Sequence, residues 1–228
     1  ISLTGRGSQL RLRAIVIRPK LDDLKQEIEK RVALLQDDSI HGAFPGTIDV
    51  SEDGSEIVVN GNRISIIFSD HPTEVDYTKY GIENGMIIDN TGAWRNREGL
   101  EQHMQPGISH VLLTAPGKDF SNIVYGVNQE EVVDAEDKVL SAASCTTNAI
   151  VPIIKVLDDQ YGIDKGHIET IHAYTSDQNL LDNFHRKPRR GRGAAINMVL
   201  TSTGAAKAVS KVMPHLDGKL TGNAVRVL

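Results

Sequence analysis

Cysteine is almost absent from this 228-residue chain, which has only Cys145. A single thiol excludes an intrachain disulfide, and with no second thiol a cysteine-built zinc cage is excluded as well, so no metal site is expected. Long apolar runs are missing too, since none approaches the roughly 20 residues that cross a bilayer. The first residues have neither a Met start nor the basic-then-apolar order of a secretory signal. No internal repeat or low-complexity linker interrupts the chain. The basic stretch 185–192 has no aromatics between its charges, and the chain as a whole is acidic, with net charge −5 and an isoelectric point near 5.9. A dedicated nucleic-acid surface would show the opposite balance. With 39% hydrophobic residues, the chain can bury one large core or two smaller ones. Sparse cysteine and no membrane span suit a cytoplasmic protein.

The one cysteine is placed where chemistry favours it. Cys145 lies in Ser144-Cys145-Thr146-Thr147-Asn148, at the mouth of a helix predicted over 148–162, with Pro152 in its first turn and Gly162 as its stop. Unpaired N–H groups and a partial positive charge at such a mouth stabilise an anion there. Most isolated cysteines are small buried hydrophobes. Here the flanking hydroxyls and amide argue against an apolar pocket. The alternating segment 166–172 reads as a strand ending at His172, which would return an imidazole to the helix mouth.

Periodicity fills in the rest of the chain. A strand is predicted over 9–17 and an amphipathic helix over 21–35. Short antiparallel runs follow at 46–50, 56–59 and 63–67, separated by Asp53-Gly54 and Asn60-Gly61 turns. Apolar runs at 85–89 and 110–114 read as buried parallel strands around a helix at 97–105, and 139–141 closes that half. This alternation describes an α/β fold with a Rossmann-type dinucleotide-binding domain.

Three motifs in order, Ser144 to Asn148, Ile171-His172-Ala173-Tyr174-Thr175-Ser176-Asp177-Gln178 and Thr201-Ser202-Thr203-Gly204-Ala205-Ala206-Lys207-Ala208-Val209, resemble glyceraldehyde-3-phosphate dehydrogenase. The resemblance extends upstream through Asn90-Thr91-Gly92, Thr114 to Lys118 and Ile123 to Asn128. It implies a dinucleotide-binding domain over 1–144 and an α+β catalytic domain over 145–228, both incomplete at the chain ends. The family's first strand, G-x-G-x-x-G turn and helix are expected ahead of this sequence, and further strands and a helix after Leu228. The chain therefore reads as the middle of a longer protein.

The resemblance also implies roles for particular residues. Cys145 is the nucleophile and His172 the base, oxidising an aldehyde phosphate through a thioester that inorganic phosphate resolves to an acyl phosphate. Ser144, Thr146, Thr203 and Gly204 are expected to hold the attacking phosphate, although Thr201 to Thr203 also suit a helix cap. Thr175, Asp177, Arg190 and Arg226 are expected around the substrate's phosphate, with Asp177 orienting one of the two arginines. Asn90, Thr91, Gly92 and Thr114 line the cleft for NAD or NADP. One position departs from the family pattern: Arg18 stands where NAD users carry a ribose-binding Asp. An arginine cannot accept those hydrogen bonds but can pair with a 2′-phosphate, so weakened NAD selectivity is expected. Otherwise Arg18 is a solvated charge with its partner elsewhere. Ala149 replaces a second cysteine found in many relatives. The loop at 185–192 implies a subunit contact and a homotetramer. Erythrose 4-phosphate as substrate, a Cys-His hydrolase and a noncatalytic relative remain as other readings.

Overall fold

The computed structural model describes residues 10–130 and 136–228, which divide into two compact units. One unit comprises the chain through Ile87 together with Glu101–His110, and the other comprises Ile88–Leu100 and Val111–Leu228. Parallel strands and helices alternate in both, giving the α/β class that the periodicity predicts. The predicted strand start at Gln9 and the Gly5-Arg6-Gly7 segment lie outside the described residues. Among the described residues, no helix is long and apolar enough to cross a membrane.

In the first unit, β1 (Ala14–Ile17) runs parallel to β6 (Asn62–Phe68), which continues antiparallel through β5 (Glu56–Val59) to β4 (Ile48–Val50). β1 is shorter than its alternation predicts. Its register with β6 begins at Ala14↔Ser65, and Leu10 and Leu12 remain exposed. The Asn60-Gly61 hairpin forms as predicted, with both residues at positive φ (49° and 79°), the conformation a two-residue turn between twisted strands requires. Helix α1 (Leu24–Gln36) starts later than the apolar pattern suggests because Asp23 caps it, accepting from the Gln26 N–H at 2.9 Å. Its Ile28 and Val32 fill the sheet face formed by Ile48, Ile57, Ile64 and Ile66. The short strands β2 (Asp37–Asp38) and β3 (Gly42–Ala43) form a small hairpin after it.

Glu27 ties this helix to the turn that follows β1. Its Oε2 accepts from the Lys20 and Leu21 N–H groups at 2.7 and 3.0 Å, and its Oε1 accepts from Arg31 at 2.6 Å. The Lys20 N–H, then Arg31, hold its carboxyl at about 2 instead of 4.5. A depressed folded-state value makes the carboxylate stabilising above about pH 4.5, and the contribution fades as pH falls toward 2. Glu27→Gln should therefore lower the urea midpoint at pH 7, and the gap from the parent should close toward pH 2. An equal gap at both pH values would contradict this assignment.

A three-stranded sheet has the order β7 (Gly85–Asp89), β8 (Ile108–Leu113), β9 (Val139–Ser141), with β8 and β9 parallel from Val111↔Val139 to Leu113↔Ser141. Helix α2 spans only Arg97–Glu101, shorter than the predicted 97–105. Turn bonds from Met104 N to Glu101 O and from Gln105 N to His103 O replace the helical ladder, and Pro106 disfavours helical backbone at Gln105.

The second unit also holds the sheet β10 (Gly166–Ala173), β12 (Leu220–Val227), β11 (Val199–Thr201), in that order. β10 and β12 are parallel in full register, while β11 is antiparallel to β12. Helices α3 (Cys145–Tyr161) and α4 (Ala205–Val212) contribute Val151, Val209 and Val212 to a core that packs against Ile168 and Leu220. β10 alternates strictly, so His172 shares a face with Ile168 and Thr170. That face is the one packed against the helices. Ile171 points the other way and is 75% exposed.

Candidate active site

Helix α3 begins at Cys145 itself, three residues earlier than the sequence suggests, because Ser144 is its cap. The Ser144 Oγ accepts from the Thr147 N–H at 3.0 Å and lies 2.7 Å from the Thr147 hydroxyl. The Asn148 amide donates to the Ala142 and Ser144 carbonyls at 2.8 and 2.9 Å, closing the turn. This earlier start places Pro152 in the helix interior and not in its first turn. Its missing N–H leaves the Asn148 carbonyl without the usual helical donor.

Cys145 is exposed, and its Sγ lies 3.5 Å from His172 Nε2. The opposite ring nitrogen, Nδ1, is 2.7 Å from the Ala173 carbonyl oxygen. The Ala173 carbonyl can only accept and the Arg226 Nη1, 3.2 Å from the same nitrogen, can only donate, so Nδ1 sits between an acceptor and a donor while Nε2 faces the thiol. Strand register supplies the next neighbour: His172 pairs with Arg226 across β10 and β12. The Arg226 Nη1 donates to the Ala173 carbonyl at 3.2 Å and to Thr175 Oγ1 at 3.4 Å. Burial first, and then the neighbouring Arg190, hold the Arg226 guanidinium below the usual arginine range, while Asp177 and Cys145 oppose that shift. Arg226 thus senses charge at both the thiol and the Arg190–Asp177 pair.

Arg190 sits in a short 3-10 turn, Pro188–Gly191, and is buried. Its Nη1 pairs with the Asp177 carboxylate and its Nε donates to Thr201 Oγ1 at 3.0 Å. Of the two arginines considered for Asp177, its direct partner is Arg190. The four residues thus form two pairs, Arg190 with an exposed Asp177 and Arg226 with Thr175, and the charges of the first pair act on the Arg226 guanidinium. Ser144 and Thr146 are not joined by any hydrogen bond to Thr203 or Gly204 among the described residues. Thr203 Oγ1 accepts from the Ala205 N–H at 3.1 Å, at the start of α4, where Gly204 holds the cap position with no side chain to offer. The cap reading of this segment thus describes the Thr203 hydroxyl.

The residues expected to line the dinucleotide cleft lie at strand carboxyl ends. Asn90, Thr91 and Gly92 follow β7, and Thr114 follows β8. The Thr114 hydroxyl donates to Asn90 Oδ1 at 2.9 Å, and the Thr91 N–H donates to Asp89 Oδ1 at 2.7 Å. Gly92 takes φ +67°, a conformation that a side chain would strain. Asn90, Thr91 and Thr114 are exposed, so this edge presents polar groups to a ligand at the place where open α/β sheets bind one. These residues fit a nicotinamide dinucleotide.

Arg18, in the other unit, follows β1. It donates through Nη2 to the Asp70 carbonyl at 2.7 Å, and its Nε lies 3.7 Å from the Asp70 carboxylate. Sequence reasoning missed Asp70. It stands just past the end of β6, and only the parallel pairing of β1 with β6 brings it beside Arg18. That pairing was not legible in a chain where the hairpin β4–β5–β6 intervenes.

Residues 8–97 match the family model described as glyceraldehyde 3-phosphate dehydrogenase, NAD binding domain, and residues 144–228 match the C-terminal domain model of the same family. A Pseudomonas aeruginosa protein named glyceraldehyde-3-phosphate dehydrogenase-like protein is 56% identical over 229 residues, covering 100% of this chain and 49% of that protein. Glyceraldehyde-3-phosphate dehydrogenase of Clostridium pasteurianum is 42% identical over 98% of this chain and 67% of its own length. A second P. aeruginosa protein, named glyceraldehyde-3-phosphate dehydrogenase, is 45% identical over 85% of this chain and 57% of its own length. The chain thus spans about half to two thirds of the length of these relatives. With both domain models matched and the similarity running through the Cys145 and His172 segments, the chain belongs to the glyceraldehyde-3-phosphate dehydrogenase family.

Proposed function

We propose that the protein is a phosphorylating, nicotinamide-dependent aldehyde dehydrogenase acting on glyceraldehyde 3-phosphate. The observation that carries this reading is the 3.5 Å approach of Cys145 Sγ, at the first residue of α3, to His172 Nε2. His172 removes the thiol proton, the thiolate adds to the aldehyde carbon, and the imidazolium returns that proton to the former carbonyl oxygen, giving a neutral thiohemiacetal and a neutral His172. Bound NAD or NADP supplies the hydride acceptor. His172 takes the thiohemiacetal hydroxyl proton as the carbonyl re-forms, leaving a thioester on Cys145. Inorganic phosphate then attacks the thioester carbon, releasing the acyl phosphate and the Cys145 thiolate. Arg226 and Thr175 suit the substrate's phosphate, with Arg190 held by Asp177 behind them. Ser144, Thr146, Thr203 and Gly204 suit the attacking phosphate. A free working thiol fits a reducing, cytoplasmic setting.

For the cofactor, Arg18 suits a 2′-phosphate while its partner Asp70 suits ribose hydroxyls, which supports use of both NAD and NADP. Arg18→Ala should lower kcat/KM for NADP by about tenfold or more, the worth of a charge-assisted hydrogen bond, with a smaller change for NAD. Equal losses for the two cofactors would remove Arg18 from that role.

The protein is also proposed to act as a homotetramer. The segment after β10 exposes Leu180, Leu181, Phe184, Ile196 and Met198, apolar side chains of the kind that a subunit contact covers. Light scattering that gives a monodisperse monomer would contradict this.

The deciding assay follows nicotinamide reduction with glyceraldehyde 3-phosphate, NAD or NADP, with and without inorganic phosphate. Reduction that depends on phosphate supports the proposal. No reduction with either cofactor overturns the substrate assignment, and erythrose 4-phosphate in a parallel arm tests the longer aldehyde.

A further inference from the structure

Ala143, two residues before the thiol, adopts φ +57°, and the only other non-glycine residue at positive φ among those described is Asn60 in its hairpin turn. Alanine has no side-chain polar group to compensate for this conformation, so something else must hold it. Ala143 is also buried, at 4% exposure. Its N–H donates to the Ser141 Oγ at 3.0 Å. Ser141 is completely buried at the end of β9. Its hydroxyl has one proton and two lone pairs, and the structure uses all three. The proton has two acceptors in reach, the Ala115 carbonyl at 2.7 Å and Asn122 Oδ1 at 3.0 Å, and the lone pairs receive the N–H groups of Ala143 at 3.0 Å and Gly117 at 3.2 Å. Asn122, also buried, braces the same point, accepting from the Gly117 N–H at 3.0 Å. Asn122 in turn is held by Asn128, whose amide donates to its carbonyl at 3.0 Å and whose Oδ1 accepts from the Val124 N–H at 2.8 Å.

We infer that Ser141 is a positioning residue for Cys145: its hydroxyl locks Ala143 in the left-handed turn that delivers the Ser144 cap and the thiol to His172. This deepens the dehydrogenase reading and rests on it for its catalytic meaning. Without the hydroxyl, Ala143 loses the bond that holds its backbone and relaxes toward an ordinary conformation, carrying the first residue of α3 away from the imidazole. Glycine at position 143 adopts the same turn without steric cost, so it should make the hydroxyl dispensable for aiming the thiol.

The test is iodoacetamide alkylation of Cys145 at pH 7, followed by intact mass. With one cysteine in the chain, the signal has a single source. Ser141→Ala should slow alkylation about tenfold to a hundredfold, the range expected when a reacting group is misplaced by about an ångström. Ser141→Ala combined with Ala143→Gly should return the rate to within about threefold of the parent. A merely structural serine would lower the melting temperature of both variants without this rescue. A folded Ser141→Ala that alkylates at the parental rate, or a folded double variant that stays slow, overturns the inference. Should Ser141→Ala fail to fold, Ala143→Gly alone decides, with a melting temperature raised by about 2–4 °C expected from strain relief. A lowered melting temperature overturns the inference. Failure of the dehydrogenase reading would appear separately, as a parent protein that alkylates normally yet reduces no nicotinamide.

Discussion

On the dehydrogenase proposal, Cys145→Ser should lower phosphate-dependent nicotinamide reduction by about 10⁴-fold or more, as deletions of a covalent nucleophile do. The serine hydroxyl occupies nearly the same place at the mouth of α3, 3.5 Å or so from the imidazole in the parent, so geometry is preserved while nucleophilicity is lost. The oxidation needs a covalent adduct from which hydride can depart. An un-ionised alcohol at neutral pH forms that adduct poorly, and the oxygen ester it would leave resists phosphate more than a thioester does. The measurement is single-turnover cofactor reduction, which sees the first oxidation even if release is slow. A variant retaining a tenth of parental activity would place the nucleophile elsewhere. Folding should be indifferent to the change, since Cys145 is exposed.

His172→Asn should lower turnover by about 10²–10⁴-fold, the usual contribution of a positioned acid–base group. Asparagine keeps a polar side chain on the inner face of β10 but cannot shuttle protons. Two readouts distinguish this from simple disruption. The pH dependence of turnover should change, and alkylation of Cys145 at pH 7 should slow, because no imidazole nitrogen faces the sulfur. KM for the aldehyde phosphate should change far less than kcat. An unchanged pH profile with a raised KM would recast His172 as a binding residue.

What the sequence reveals of this molecule depends on the range of the interaction. Local signals read well. The Asn60-Gly61 turn, the alternation of β10 that aims His172 inward, and the Ser144 to Asn148 signature all depend on neighbours within a few residues. Boundaries set by caps or by missing partners were misjudged. Helix α3 starts at the thiol because the Ser144 hydroxyl captures the Thr147 N–H, and α2 ends early ahead of Pro106. Contacts across long separations were not legible. Asp70 meets Arg18 through strand pairing, Thr201 meets Arg190 across a loop, and Ser141 gathers Ala115, Gly117 and Ala143 around one oxygen. No periodicity marks a buried serine as a hub, since serine is common in turns and at strand ends.

The Ala173 carbonyl has a part in this arrangement that its place in an ordinary strand conceals. Its oxygen lies 2.7 Å from His172 Nδ1 and accepts from Arg226 Nη1 at 3.2 Å, and the same Nη1 lies 3.2 Å from Nδ1. Imidazole and guanidinium are thus tied to each other and to one peptide oxygen, so a displacement of either side chain is felt by the other.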